Sequence, residues 1–248
     1  VAVQVNSTTT TTGILNVNSS ETIGSLAGTG ANAQVNLASG ATLTTGGSNA
    51  STGYAGHIAG DGALVKDGSG IMTLTGANTY TGGTTVNDGA VMGFVGAGAS
   101  ITGDYTLNNG GFLTFNQLLP AGGPQSGTYA GNVTGAATAY MQFGGNSSTT
   151  VTLTGNNSGF AGTTTLGFGS STIGNGGTVS IGDVSNIGTG TLQFYDGVLR
   201  TTATMTLANA VSLQTTGGGG TFNPDGGTTL TLTAGTTGGG ALLKIGNG

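Results

Sequence analysis

The 248 residues include 54 glycines and no cysteine or tryptophan, and charged side chains make up only 4% of the chain. With hydrophobic residues at 35%, such a chain cannot fill a bulky core, yet it can bury thin columns of Val, Ile and Leu if repetition extends them. The net charge is −5 and the only bases are Lys66, Arg200 and Lys244, so no patch can neutralise a run of phosphates; nucleic-acid binding is excluded, and no window is apolar over the roughly 18 residues of a membrane helix.

Val, Ile, Leu and Thr alternate in short bursts between clusters of Gly, Asn and Asp, which predicts short strands throughout. No helix is expected, because apolar residues do not recur at helical spacing and each glycine costs about 1 kcal/mol in a helix interior. In chain order the first clear unit is Ala41-Thr-Leu-Thr-Thr-Gly46. It returns as Ala63-Leu-Val-Lys-Asp-Gly68, then at a constant interval of 21 as Thr84-Thr-Val-Asn-Asp-Gly89 and Tyr105-Thr-Leu-Asn-Asn-Gly110. Each unit predicts a strand with one inward apolar residue: Leu43, and then the column Val65, Val86 and Leu107. Each of the last three closes on a tight turn, at Asp67-Gly68, Asp88-Gly89 and Asn109-Gly110, because glycine accepts positive φ and Asx bonds its neighbouring backbone. Lys66, beside Val65, and Lys244, beside Leu243, are expected to face solvent.

Residues 117–125 contain Pro120 and Pro124, break this rhythm and are expected to protrude as a loop. A second, longer periodicity is also present. Tyr54-Ala-Gly-His-Ile-Ala-Gly60 returns as Tyr129-Ala-Gly-Asn-Val-Thr-Gly135, and Thr73-Leu-Thr-Gly-Ala-Asn78 as Thr152-Leu-Thr-Gly-Asn-Asn157. Gly60–Gly70 reappears at Gly238–Gly248, where the motif stops partway. The chain begins with Val, shows no leader and ends mid-motif, and so reads as a segment of a longer repetitive protein. A turn that recurs about every 21 residues is what one coil of a parallel β-solenoid requires. The expectation is one continuous solenoid over residues 1–248, with on the order of a dozen coils in a rod roughly 50–60 Å long.

Candidate sites are few. His57 is the only histidine, and its repeat counterpart is Asn132, so a surface or corner position is expected rather than a catalytic base or a zinc ligand. On a 21-residue register Asp67 and Asp88 would stack about 5 Å apart and could share a calcium ion, although both are also turn residues. No other cofactor is indicated. Asp61, Asp104 and Arg200 gathered in one cleft would be the mark of a polysaccharide-acting enzyme. The Thr-x-Thr units at Thr42, Thr73, Thr152 and Thr229 are too irregularly spaced to form an ice-binding array. Tyr54 and Tyr129, or Phe112 and Phe115, could act as sugar-stacking platforms or as packing between coils.

Residues 60–89, Gly-Asp-Gly-Ala-Leu-Val-Lys-Asp-Gly-Ser-Gly-Ile-Met-Thr-Leu-Thr-Gly-Ala-Asn-Thr-Tyr-Thr-Gly-Gly-Thr-Thr-Val-Asn-Asp-Gly, closely resemble the passenger-associated repeat of bacterial autotransporters. Ile71-Met72 departs from the usual Thr-Leu of that repeat. Residues 60–92 carry the best match, 126–170 a degenerate second copy and 238–248 the start of a further one. The resemblance implies an all-β, right-handed parallel β-helix exported by type V secretion, with a translocator barrel elsewhere in the parent chain. It also implies an extracellular or cell-surface location and a non-catalytic stalk serving adhesion, aggregation or biofilm. Partners would be a host or bacterial surface, glycans or copies of the chain itself. A self-assembling filament subunit and a polysaccharide-acting β-helix enzyme remain alternatives.

Overall fold

The computed structural model describes residues 1–120, 122–168 and 176–248. Ala121, within the expected loop, and residues 169 and 170, at the end of the expected second repeat copy, lie outside the described residues. The chain is a β-solenoid of about ten turns with a spacing of about 23 residues. At about 4.8 Å per turn the stack is roughly 48 Å long. Among the described residues there is no α-helix; the one helical turn is the 3₁₀ segment Val184–Ile187, capped by the Asp183 side chain.

Successive strands of a coil belong to different sheets, and each pairs in parallel with its counterpart in the next coil. Gln34–Leu37, Thr42–Thr45 and Thr52–Tyr54 start three such ladders or extend them. The longest sheet has nine strands, from Thr52–Tyr54 at one end to Thr236–Gly238 at the other. A six-stranded sheet runs from Glu21–Thr22 to Val133–Gly135, and another from Gly127–Tyr129 to Ala241–Lys244. This continuous pairing satisfies the backbone without help from large side chains, which is how so glycine-rich a chain folds.

Alternation along each short strand sends every second residue inward, as in Gln34–Leu37, where Val35 and Leu37 are buried and Gln34 and Asn36 half-buried. Stacked over many coils, these positions form one apolar column with Leu26, Leu43, Ile58, Leu74, Leu113 and Leu199 among its members. Aromatic rings continue it: Phe115 stacks on Phe143 at 4.7 Å with planes 7° apart, and meets Tyr129 edge-on.

Two expectations change. The coil is not a uniform 21 residues: Val86 pairs with Leu107, but Ile71 pairs with Ala90 and Phe112 with Tyr140, intervals of 19 and 28. Rungs are held in register by the ladder, and the corners absorb residues freely because they lie outside it. The 28-residue interval contains residues 117–120 and 122–125, which leave the coil between Phe112–Asn116 and Gly127–Tyr129. Buried Gln117 ties this loop down, accepting from the Val95 amide and donating to the carbonyls of Val95 and Gln125.

The second change concerns the predicted core column. Thr84 pairs with Leu64, Thr85 with Val65 and Val86 with Lys66. Leu64 and Lys66 therefore face inward, while Val65 is half-exposed on the outer surface. The interior columns read Leu43, Leu64, Thr84, Tyr105, Val133 and Thr45, Lys66, Val86, Leu107, Gly135. Only Val86 and Leu107 of the expected trio stack inside. The reason is that Ala63-Leu-Val-Lys offers two adjacent apolar residues, and sequence alternation alone does not say which faces in.

Candidate functional site

The segment around residues 60–92 is organised about Lys66. Only 1% of this residue is exposed. Its methylene stem lies beside Gly46, and its ammonium donates to the carbonyls of Asp67 at 2.7 Å and Gly68 at 2.6 Å, and of Asp88 in the next coil at 3.4 Å. These carbonyls sit past the ends of the strands and take no part in a backbone ladder bond. A lysine is long enough to bury its stem and still reach them. Burial pushes its pKa down, and the nearby Asp88 and Asp67 carboxylates partly oppose that. Lys244 is exposed, as expected, and bonds the carbonyls of Gly246, the counterpart of Gly68, and Gly248. The expectation of a solvated Lys66 is thus reversed.

The three turn glycines, Gly68, Gly89 and Gly110, all have positive φ, at 69°, 66° and 85°, and Asn109 joins them at 36°. The neighbouring acids do not form the expected pair. With Lys66 opposite Val86, the residue stacked on Asp67 is Asn87, whose side-chain amide donates to the Asp67 carboxylate at 2.9 Å. Asn108 donates in turn to Asn87 at 3.0 Å, completing an Asx ladder across three coils. Asp88 is one step out of this column and accepts from the Gly89 amide at 2.7 Å. The one-residue slip separates the two proposed calcium ligands, and among the described residues no three acidic, histidine or cysteine side chains form a metal-binding group.

Asn78, a residue not singled out from the sequence, bridges three coils from the interior. Its side chain accepts from the Ile58 amide at 2.8 Å and donates to the Ser100 carbonyl at 2.7 Å. Its repeat counterpart Asn157 does the same with the Val133 amide and the Asn186 carbonyl. The signal was available in the matched Leu-Thr-Gly-x-Asn motifs. Beside Asn78, buried Tyr80 hydrogen-bonds the Thr84 hydroxyl at 2.5 Å. Tyr54, Tyr80, Tyr105 and Tyr129 are all interior, and burial raises the pKa of each. Tyr54 and Tyr129 are thus packing residues and do not form an external platform.

The remaining candidates lie apart. His57 opens the strand His57–Gly60 and lines a groove of about 780 Å³ under the loop, with Pro120, Pro124 and Gln125 opposite. Asp61 accepts from Thr81, Asp104 from the Asn132 amide, and Arg200 forms a two-pronged ion pair with Asp225 at 2.8 Å. That pair holds the Asp225 carboxyl below the usual carboxylate range, the guanidinium hydrogen bonds being the main cause. Asp61, Asp104 and Arg200 are therefore engaged with separate partners. The threonines do form one outward column, Thr22, Thr44, Thr85, Thr106 and Thr134, interrupted by Val65. Uneven corners hid this column from any fixed spacing.

Residues 64–91 match the family model of the passenger-associated-transport-repeat. No curated protein and no solved structure matches the chain. The matched segment contains Lys66, Asp67, Asn78 and Asn87, residues whose polar atoms bond one coil to the next. A repeat of this family on a β-solenoid fits an autotransporter passenger.

Proposed function

We propose that this chain is a non-catalytic stalk of a secreted or surface-displayed autotransporter-type adhesin, acting in adhesion, aggregation or biofilm. The carrying observation is that Lys66, Asp67, Asn78 and Asn87 of the matched repeat are engaged in holding coils together. Lys66 and Asn78 each bond backbone groups of a neighbouring coil, and Asp67, Asn87 and Asn108 form a ladder along the stack. A stack built from near-neighbour contacts gains length without a single indispensable centre. That suits a protein presented as an extracellular rod. Its partners would be a host or bacterial surface, glycans, or other copies of itself.

The test is display of the chain on bacteria by fusion to a translocator barrel, beside cells carrying the barrel alone. Displayed chain is expected to raise cell adhesion or clumping, and deletion of residues 64–91 to reduce the folded, protease-resistant passenger at the surface. Unchanged adhesion would overturn the reading. Release of reducing ends from a polysaccharide panel would replace it with an enzyme, and continuous fibres in electron micrographs of the purified chain would replace it with a filament subunit.

A further inference from the structure

The outer face of the nine-stranded sheet carries aromatic side chains that coil-to-coil packing does not require. Phe112 and Tyr140 are paired in register on adjacent strands, and their rings stack in parallel at 4.4 Å, 7° apart. Unlike Phe115 and Phe143 one face inward, this pair is half-exposed. Two further rings follow on the next two coils: Phe168, 39% exposed and seated over Gly144, and Tyr195. A side chain at position 144 would displace Phe168, so glycine there makes room for the ring. The four rings edge a groove of about 470 Å³, within the range of small-ligand sites. From Phe112 to Tyr195 it spans three coil steps, about 14 Å.

Between the rings run amides and hydroxyls in one register: Thr114, Gln142, Thr165 and Gln193. Gln193 accepts only a long bond from Thr165, at 3.4 Å, and Gln142 makes no hydrogen bond to the described residues. The buried amides of Gln117, Asn78 and Asn157, by contrast, are fully engaged. No described residue lining the groove is charged.

We infer that this groove binds a neutral hexopyranose chain. Ring faces stack on the apolar C–H face of a pyranose, and a planar amide offers a donor and an acceptor together to adjacent hydroxyls. The lack of charge selects against uronic acids and phosphorylated sugars, whose anions would find no counter-charge. The inference rests on the adhesin reading and gives it a located ligand site.

The test titrates purified chain with neutral hexaoses (β-1,4-glucan, β-1,3-glucan and mannan), following tyrosine fluorescence and calorimetry, with oligogalacturonate as the charged comparison. At least one neutral hexaose is expected to bind. The double variant Gln142→Ala with Gln193→Ala should weaken that binding at least tenfold with an unchanged melting temperature, and Tyr140→Ala should weaken it as well. Failure of every neutral hexaose to bind below ~10 mM, equal binding by the amide variant, or preference for oligogalacturonate would each overturn the site. Displayed cells separate the two readings: if they adhere but the bound hexaose does not compete and the amide variant adheres equally, the groove assignment fails while the adhesin reading stands. Loss of all adhesion would end both.

Discussion

Lys66 occupies the interior rung next to Val86, and its ammonium reaches across to the Asp88 carbonyl of the Val86 coil. The charge is taken out of water, but it satisfies corner carbonyls that no backbone ladder reaches. Leaving such groups unpaired costs about 1–3 kcal/mol each, which outweighs the benefit of an apolar replacement. Lys66→Met, which keeps the stem, should therefore lower stability by about 1–3 kcal/mol, read as a drop in denaturant midpoint. A more stable Met variant would show that desolvation dominates instead.

Val65 and Val86 provide a paired check on the register. Val65→Thr places a hydroxyl in the outward threonine column and should change stability by no more than about 0.5 kcal/mol. Val86→Thr buries a hydroxyl inside the coil, between Lys66 and Leu107, and should cost about 1–3 kcal/mol. Equal losses at the two sites would refute the one-residue slip.

Asn78 holds the Ile58 amide and the Ser100 carbonyl, and both of those residues are fully buried. Asn78→Ala should cost about 2–6 kcal/mol, two unsatisfied backbone groups at about 1–3 kcal/mol each. Asn157→Ala should behave alike. Hydrogen exchange should then speed up locally at Ile58 and Val133 respectively; protection unchanged at those amides would sink the bridging role.

The corners distinguish glycines that are needed from those that are not. A Cβ on Gly76 would strike the carbonyl oxygen of Gly56 in the preceding coil, so Gly76→Ala should destabilise by about 1–3 kcal/mol or more. Gly47 faces open space without a positive φ, and Gly47→Ala should be neutral or slightly stabilising. Thermal melts of the two variants decide the point.

Alkaline pH should unfold the chain. Tyr54, Tyr80, Tyr105 and Tyr129 have raised pKa values when folded, so above their ordinary value of 10.0 the unfolded state loses protons first and stability falls. Each tyrosine contributes about 1.4 kcal/mol per pH unit in that window. Lys66, with its pKa lowered below 10.5, acts in the opposite sense, regaining stability as it deprotonates. Four groups outweigh one, so melting temperature should drop steeply above about pH 10, with phenolate absorbance appearing together with unfolding. Phenolate formation in the still-folded chain would contradict the burial.

Short alternating bursts, Asx-Gly corners and repeated motifs were enough to read a parallel solenoid, the turn glycines Gly68, Gly89 and Gly110, and the segment carrying the repeat. These are local properties, set by side-chain period and by which residue tolerates positive φ. Which residues stack was decided by the folded coil. Corners lie outside the ladder and vary in length, so coil intervals range from 19 to 28 and a fixed 21-residue ruler misplaced Val65, Lys66 and the Asp67–Asp88 pair. The aromatic groove was hidden differently: Phe112, Tyr140, Phe168 and Tyr195 recur at 28, 28 and 27 residues, an interval that a 21-residue ruler passes over, and only parallel register shows that they lie on one face.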